Sequence, residues 1–321
     1  MTEKYRPTYE EVKRAEEMMP LELMTASQIR DRFKYQLRDP FDDFNKHIDD
    51  KAERRKPTPE EAARMDSNLI KLGKIFEGTT IRWQLDGALN ISVVRGEYIG
   101  VHKDIDLSID KDDLEKLDDQ LGQNHYGLFL VHPKNPALRH GQKIYERVGA
   151  EEFGTSPKEH LMIAAIDGDG RIVEQKVESL NFLDVHLAER DVAGDPIGWR
   201  GVPLPKEWYG SKKIIFKGQE INISHPAKTA YWKLHSDRNY DATDLRILAM
   251  SNQLTVDDVD DIESIIRLEG EALKKIIKDK LGNVIEKFTT FALNSLNYQG
   301  SLNAQLRKVN DLRSWVVSAK K

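Results

Sequence analysis

The sequence predicts an α/β (α+β) fold, with a small mixed sheet in the middle of the chain, an N-terminal helical arm and a C-terminal helical bundle. Three observations carry that expectation. Between about residues 78 and 215 the strand-like runs TTIRWQL, DIDLSI, YGLFLV, HLMIAAI, RIVEQKV and SLNFLDVHLA alternate with turn residues. Ahead of them, Met65, Leu69, Leu72 and Phe76 recur at helical spacing, and behind them Ile262, Ile265, Ile266, Leu268, Leu273, Ile276 and Ile277 do the same. The expected divisions are a helical N-terminal extension over 1–57, a core over 58–215 and a helical C-terminal domain over 216–321.

The first segment is highly charged. Thr8 with Glu11 forms a capping-box pattern and LELMTASQIRDRFKYQLRDPF has spaced apolar residues, so helices are expected there; the polarity of KHIDDKAERRK leaves a partly disordered extension as the alternative. A better-defined helix begins at Thr58, where Pro59 suits the first helical position and Glu61 completes a capping box, and Gly78 ends it. DGDG at 167–170 has the residue types of a calcium loop but neither its length nor its closing Glu, so it reads as a hairpin turn. GWRGVPLPKEWYG is rich in Pro and Gly and reads as a linker or an active-site loop.

Composition narrows the function. The 321 residues suffice for two or three domains and a cleft. A net charge of -5, with both signs mixed along the chain, argues against sequence-blind coating of nucleic acid. Without cysteine there is no disulfide, no thiolate nucleophile and no cysteine zinc site, so any metal must be held by oxygen or imidazole. No stretch approaches the ~18 apolar residues of a membrane span, and the first residues lack a signal-peptide core. The expected location is cytoplasmic, with no membrane partner.

The chemistry concentrates in three places. In HKDIDLSI, period-two alternation puts Asp104, Asp106 and Ser108 on one strand face and Ile105, Leu107 and Ile109 on the other. Two carboxylates at that spacing repel each other unless solvent or a cation neutralises them. SLNFLDVHLAE repeats the arrangement with Phe182, Asp184 and His186 against Leu183, Val185 and Leu187. Upstream, WQLDGALNISVVRG runs a strand into Gly87 and then into an apolar stretch able to start a helix, where backbone N–H groups can approach a phosphate. If the two acidic strands are neighbours, three carboxylates converge on what two hard cations need to hold a nucleoside triphosphate.

That order of turn, helix, Asp-x-Asp strand and later single Asp resembles the nucleotidyltransferase superfamily that includes DNA polymerase beta. More narrowly, LDGALNISVVRGEYIGVHKDIDL is similar to the lincosamide and aminoglycoside nucleotidyltransferases, and FLDVHLAE to the strand that supplies their third carboxylate. HPAKTAYWKLHSDRNYDATDLRIL is similar to a helical stretch of the abortive-infection type II toxin nucleotidyltransferases, with Lys228, Arg238, Asp241 and Asp244 at the matching positions. The resemblance implies that Asp104 and Asp106 bind two Mg²⁺ (Mn²⁺ being an alternative) and that Asp184 binds the catalytic ion and accepts the proton of the acceptor hydroxyl. It further implies that Gly87 and Ala88 cradle the β- and γ-phosphates, with Lys228, Arg238 and Asp241 near the nucleotide. The sequence departs from the pattern at Ala88, where the superfamily usually has Gly or Ser, and at Tyr240, where the toxins often have Lys.

The resulting expectation is an enzyme moving a nucleoside monophosphate from an NTP, ATP above others, to a hydroxyl of a small molecule, a tRNA or a protein. The partner expectations add a homo-oligomer or an antitoxin. Two other readings stand beside it: a non-catalytic nucleotide-binding or interaction protein on the same fold, and a two-metal hydrolase. His102 and His186 are candidates only for orienting a carboxylate or touching the acceptor, Lys103 reads as structural, and Trp83, Tyr231 and Trp232 read as core residues before stacking platforms.

Overall fold

The computed structural model describes residues 55–102, 105–132, 144–147, 160–170, 172–173, 182–210, 212–236, 240–281 and 298–320. The expected N-terminal helices, Lys103, Asp104, Arg238 and most of the RIVEQKV strand lie outside them. The described residues fall in two compact units, one within Glu115–Val185 and the other made of the described parts of Asp49–Leu114 and His186–Lys321.

The second of these units starts with α1 (Pro59–Ile75), which is capped as its sequence demands. The Thr58 hydroxyl accepts from the Glu61 N–H at 3.2 Å, and the Glu61 carboxylate accepts from the Thr58 N–H at 2.8 Å. Met65, Leu69, Leu72 and Ile75 form its buried stripe, and Phe76 stacks on Trp83 at a centroid distance of 4.9 Å. β1 (Trp83–Leu85) follows, then α2 (Gly87–Arg95) and β2 (Asp106–Asp110). β1 and β2 are antiparallel, with Trp83 opposite Ile109 and Leu85 opposite Leu107. Ile105, Leu107 and Ile109 are buried, as the alternation requires.

The other unit carries most of α3 (Leu114–Gln123) and the strands β3 (Tyr126–His132), β4 (Ile144–Arg147) and β5 (His160–Ala165). It also holds the first half of β6 (Phe182–Ala188), and the order is β4-β3-β5-β6, antiparallel throughout. The DGDG segment is a turn closed by Gly170 N–H on the Asp167 carbonyl, and an Ile166–Ile172 bridge flanks it.

Back in the larger unit, β7 (Lys212–Phe216) and β8 (Gln219–Ile223) form a hairpin that adds to β1, with Leu85 parallel to Ile223. This sheet is therefore mixed. Lys217 and Gly218 both have positive φ, 51° and 80°, the conformation of a two-residue hairpin turn. The hairpin straddles residue 216, so the segment expected to be helical begins with a strand. The Pro/Gly-rich stretch before it is neither slack nor a simple linker: short 3₁₀ turns at Trp199–Gly201 and Lys206–Tyr209 bring Val202, Leu204 and Trp208 into the core.

Four helices complete the unit: α4 (Pro226–His235), α5 (Asp241–Ala249), α6 (Val256–Leu281) and α7 (Tyr298–Ala319). Their core joins Tyr231, Leu248, Ile262, Ile266 and Leu312 to Ile91 of α2, so the bundle backs directly onto the helix that follows the glycine turn. The expected apolar face of α6 needs one correction. Leu268 is 54% exposed, and the next inward position after Ile262, Ile265 and Ile266 is Glu269, which is buried. Its carboxylate is satisfied there by Tyr231 O–H and by His235 Nε2 at 2.7 Å. Among the described residues no helix is long and apolar enough to cross a membrane.

The cap of α1 has a measurable pH signature. The Arg55 guanidinium hydrogen-bonded to Glu61, helped by the Thr58 N–H, holds its carboxyl at about 2 against an ordinary 4.5. Because the folded value is depressed, the stabilisation is complete above 4.5 and is lost as pH falls towards about 2. Thermal melts of wild type and Glu61→Gln should therefore differ most near neutrality and converge below that window.

Candidate functional site

The site is built on the junction of β1 and α2. Asp86 closes the strand, its N–H donating to the Asp106 carbonyl at 2.8 Å, and α2 starts at Gly87 in a left-handed conformation with φ +63°. A Cβ on Gly87 would lie 1.9 Å from Oδ2 of Asp106 and 2.8 Å from its Cγ. Glycine is favoured for two independent reasons: the backbone angle, and the Asp106 carboxylate standing where a Cβ would go. The first N–H groups of α2, which no helix satisfies internally, thus open beside the Asp106 carboxylate. Ala88 turns its methyl onto the bundle core, where it packs among the apolar side chains.

Asp106 is 29% exposed, and its Oδ1 lies 3.7 Å from Nε2 of the more exposed His186. Asp184 sits on β6 opposite Met162, half-buried, in the other compact unit. Among the described residues no group of three or more His, Cys, Asp or Glu is placed to hold a metal ion, and Asp104 lies outside them.

Beneath the turn is a buried ion pair between residues far apart in the chain, which no local sequence pattern signals. Lys228, in the first turn of α4, is fully buried and its ammonium donates to Asp86 Oδ2, Gln84 Oε1 and Ser224 Oγ, each at 3.1 Å. It also lies 4.5 Å from the centre of the Tyr209 ring. Burial pulls the lysine's pKa down and the Asp86 carboxylate opposes that fall. Burial, with Asp86 adding to it, likewise raises the Tyr209 hydroxyl. Asn90 of α2 ties the same floor together by donating to the Ser224 carbonyl at 3.1 Å and Thr229 Oγ1 at 2.8 Å.

A second buried charge fastens β2. Asp110 accepts from Arg190 Nη2 at 2.6 Å and Nε at 2.7 Å, and pairs with Arg82 Nη1 at 3.0 Å. Arg82 also donates through its N–H and Nε to Asp113, both at 2.9 Å. The segment before β1 and the segment after β6 are thereby clamped to the end of the strand that starts with Asp106. Asp110 continues the period-two series 104, 106, 108, which is the one sequence signal that could have found it.

The helical positions of the toxin resemblance also have internal partners. Asp241 and Asp244, both buried, face the buried Lys233 at 3.2 and 2.7 Å and tie α4 to α5, with the Tyr240 ring 5.7 Å from the ammonium. His102 shares a 2.9 Å hydrogen bond with Ser92 Oγ. Trp83 and Tyr231 are core residues, and Trp232 is about one-third exposed at 36%.

Residues 68–131, which span α1's last turns, the glycine turn and β2, match the family model described as Aminoglycoside-2''-adenylyltransferase. Over that stretch the chain is similar to nucleotidyltransferases. The matched residues contain both Gly87 and Asp106. No curated protein matches the chain significantly. Among solved structures it is similar to the lincosamide antibiotic adenylyltransferase LnuA with lincomycin bound, at 16% identity and a TM-score of 0.35, over 60% of this chain and 98% of that one. It is also similar to an antigenic nucleotidyltransferase-like protein from Paracoccidioides brasiliensis, at 11% identity and a TM-score of 0.33, over 78% and 95%.

The glycine constraint is testable without any substrate. Gly87→Ala should lower unfolding free energy by about 1–3 kcal/mol in denaturant melts, because the methyl must displace Asp106 and the left-handed φ is strained. Gly78→Ala, with a similar positive φ but nothing within 4 Å of its Cβ, should cost less.

Proposed function

We propose that this protein is a nucleotidyltransferase that moves a nucleoside monophosphate from an NTP, ATP first among them, to a hydroxyl of a small molecule and releases pyrophosphate. The observation that carries the reading is the contact of Gly87 with Asp106. It sets an anion-accepting helix start and a partly exposed carboxylate side by side, the pairing that a metal-bound triphosphate requires.

The donor set is all oxygen, which fits Mg²⁺ or Mn²⁺. On the sequence resemblance we assign Asp104 and Asp106 to two such ions and Asp184 to the catalytic one. Bound there, the ions would neutralise triphosphate charge and polarise the hydroxyl. Gly87 and Ala88 hold the β- and γ-phosphates through backbone N–H groups. Asp184 accepts the proton of the attacking hydroxyl, whose oxygen bonds to the α-phosphorus as the bond to the pyrophosphate oxygen breaks. Catalysis is then positioning and charge compensation, with no covalent protein intermediate.

The description of the matching family model supports a small-molecule acceptor of the aminoglycoside kind. The toxin-like reading, with tRNA or protein as acceptor, finds less support. Two of the nucleotide-facing positions it relies on, Lys228 and Asp241, are buried in ion pairs within the helical part.

Pyrophosphate release should be measured with the four NTPs, Mg²⁺ and a panel of aminoglycosides and lincosamides. Asp106→Ala and Asp104→Ala should each lower the rate about a thousandfold, equivalent to about 4 kcal/mol of charge stabilisation, and Asp184→Ala comparably. Release that ignores Mg²⁺ or Asp106→Ala contradicts the reading. Phosphate release without a modified acceptor would make the protein a hydrolase.

A further inference from the structure

We infer that Lys228 is a positioning residue that holds the Asp86 carboxylate off the start of α2 and so keeps that helix start available to the triphosphate. The inference rests on the proposed function, in which Gly87 and Ala88 receive the phosphates, and adds to it how that receptor is kept open.

Asp86 occupies the N-cap of α2 with the extended backbone of a capping residue, φ -125° and ψ -172°. Aspartate is among the strongest N-cap residues because its carboxylate accepts from the second or third N–H of its own helix. Here it makes no such bond. The carboxylate instead turns inward to Lys228, 3.1 Å from Oδ2. Both side chains are buried, Lys228 at 1% and Asp86 at 9% side-chain exposure. Were Asp86 to cap its helix, Lys228 would keep only two neutral acceptors, Gln84 and Ser224, for a buried positive charge. A buried charge stripped of its counter-ion costs more than one exposed-type cap bond returns, so the inward arrangement prevails.

Two consequences reach the nucleotide. The N–H groups that an Asp cap would occupy are left for phosphate oxygens, which the positive end of the helix also favours. The negative charge of Asp86, next to where a highly anionic ligand sits, is compensated by the ammonium. Lys228 therefore serves the triphosphate without touching it. This differs from a lysine that contacts phosphate directly, because here its effect runs entirely through Asp86.

The test is a small set of variants titrated with ATP and the other three NTPs in the presence of Mg²⁺ by calorimetry, each checked for folding by its thermal melt. Lys228→Met frees Asp86 to cap α2 and leaves its charge uncompensated, and should weaken ATP binding about tenfold or more. Adding Asp86→Ala to Lys228→Met removes both the latch and the competitor, and should bring affinity back to within about threefold of wild type. Asp86→Ser, whose hydroxyl reaches its own helix but not Lys228, should weaken binding although the lysine remains. In turnover assays the loss in Lys228→Met should appear in KM rather than kcat.

A double variant that binds no more tightly than Lys228→Met, or about tenfold more weakly than wild type where the single variant does not fold, overturns the latch alone. So does a Lys228→Met protein that binds as wild type does. If wild type binds none of the four NTPs, the functional reading itself fails and the latch falls with it.

Discussion

The carboxylate of Asp106 stands where a side chain on Gly87 would begin, and the rest of the site depends on that close approach. A side chain larger than hydrogen would have to displace Asp106, since a Cβ would sit 1.9 Å from the carboxylate oxygen. The left-handed φ of Gly87 turns the chain from β1 into α2 at the point where β2 begins, and the antiparallel pairing of Trp83–Leu85 with Leu107–Ile109 sets the register of the two. A helix start and a carboxylate that would otherwise repel an anion are thus brought within one ligand's reach. A cation between carboxylate and phosphate resolves that conflict, which is why the geometry reads as chemistry rather than as a tight turn alone.

Holding such a junction still takes buried charge on both sides. On one side Lys228 and Asp86 form a pair with Gln84 and Ser224 satisfying the remaining ammonium donors. On the other Asp110 is gripped by Arg82 and Arg190, so the strand bearing Asp106 is anchored to segments before β1 and after β6. Buried pairs add little net stability compared with apolar packing, because desolvation offsets their attraction. What they add here is direction: each allows one placement of the backbone it joins. Lys233 with Asp241 and Asp244, and Glu269 with Tyr231 and His235, do the same inside the helical part.

Local features were legible in the sequence, and long-range partners were not. The capping box at Thr58, the alternation in DIDLSI, the helix after Gly87 and the turn at DGDG each follow from residues a few positions apart, and each is present. The β7–β8 hairpin escaped notice because its turn is Lys-Gly rather than Asn-Gly, and a lysine with positive φ gives no compositional warning. Hydrophobicity points to Leu268 as the inner residue of α6, whereas helical phase selects Glu269, and the structure follows the phase. The pairing of Lys228 with Asp86 joins the first turn of α4 to the end of β1, and nothing in either local pattern signals it. Asp104 and Arg238 lie outside the described residues, and Asp184 belongs to the other compact unit, so their roles remain those that the family resemblance implies.

On the proposed function, the Gly87–Asp106 junction receives a metal-bound triphosphate. That placement is tested most directly by the anomalous scattering of Mn²⁺ in crystals grown with a non-hydrolysable NTP. A manganese peak is expected at coordination distance, about 2.0–2.3 Å, from an Asp106 carboxylate oxygen, with triphosphate oxygens on the N–H groups at the start of α2. A well-ordered nucleotide bound elsewhere, or one bound at the turn with its manganese away from Asp106, would contradict it.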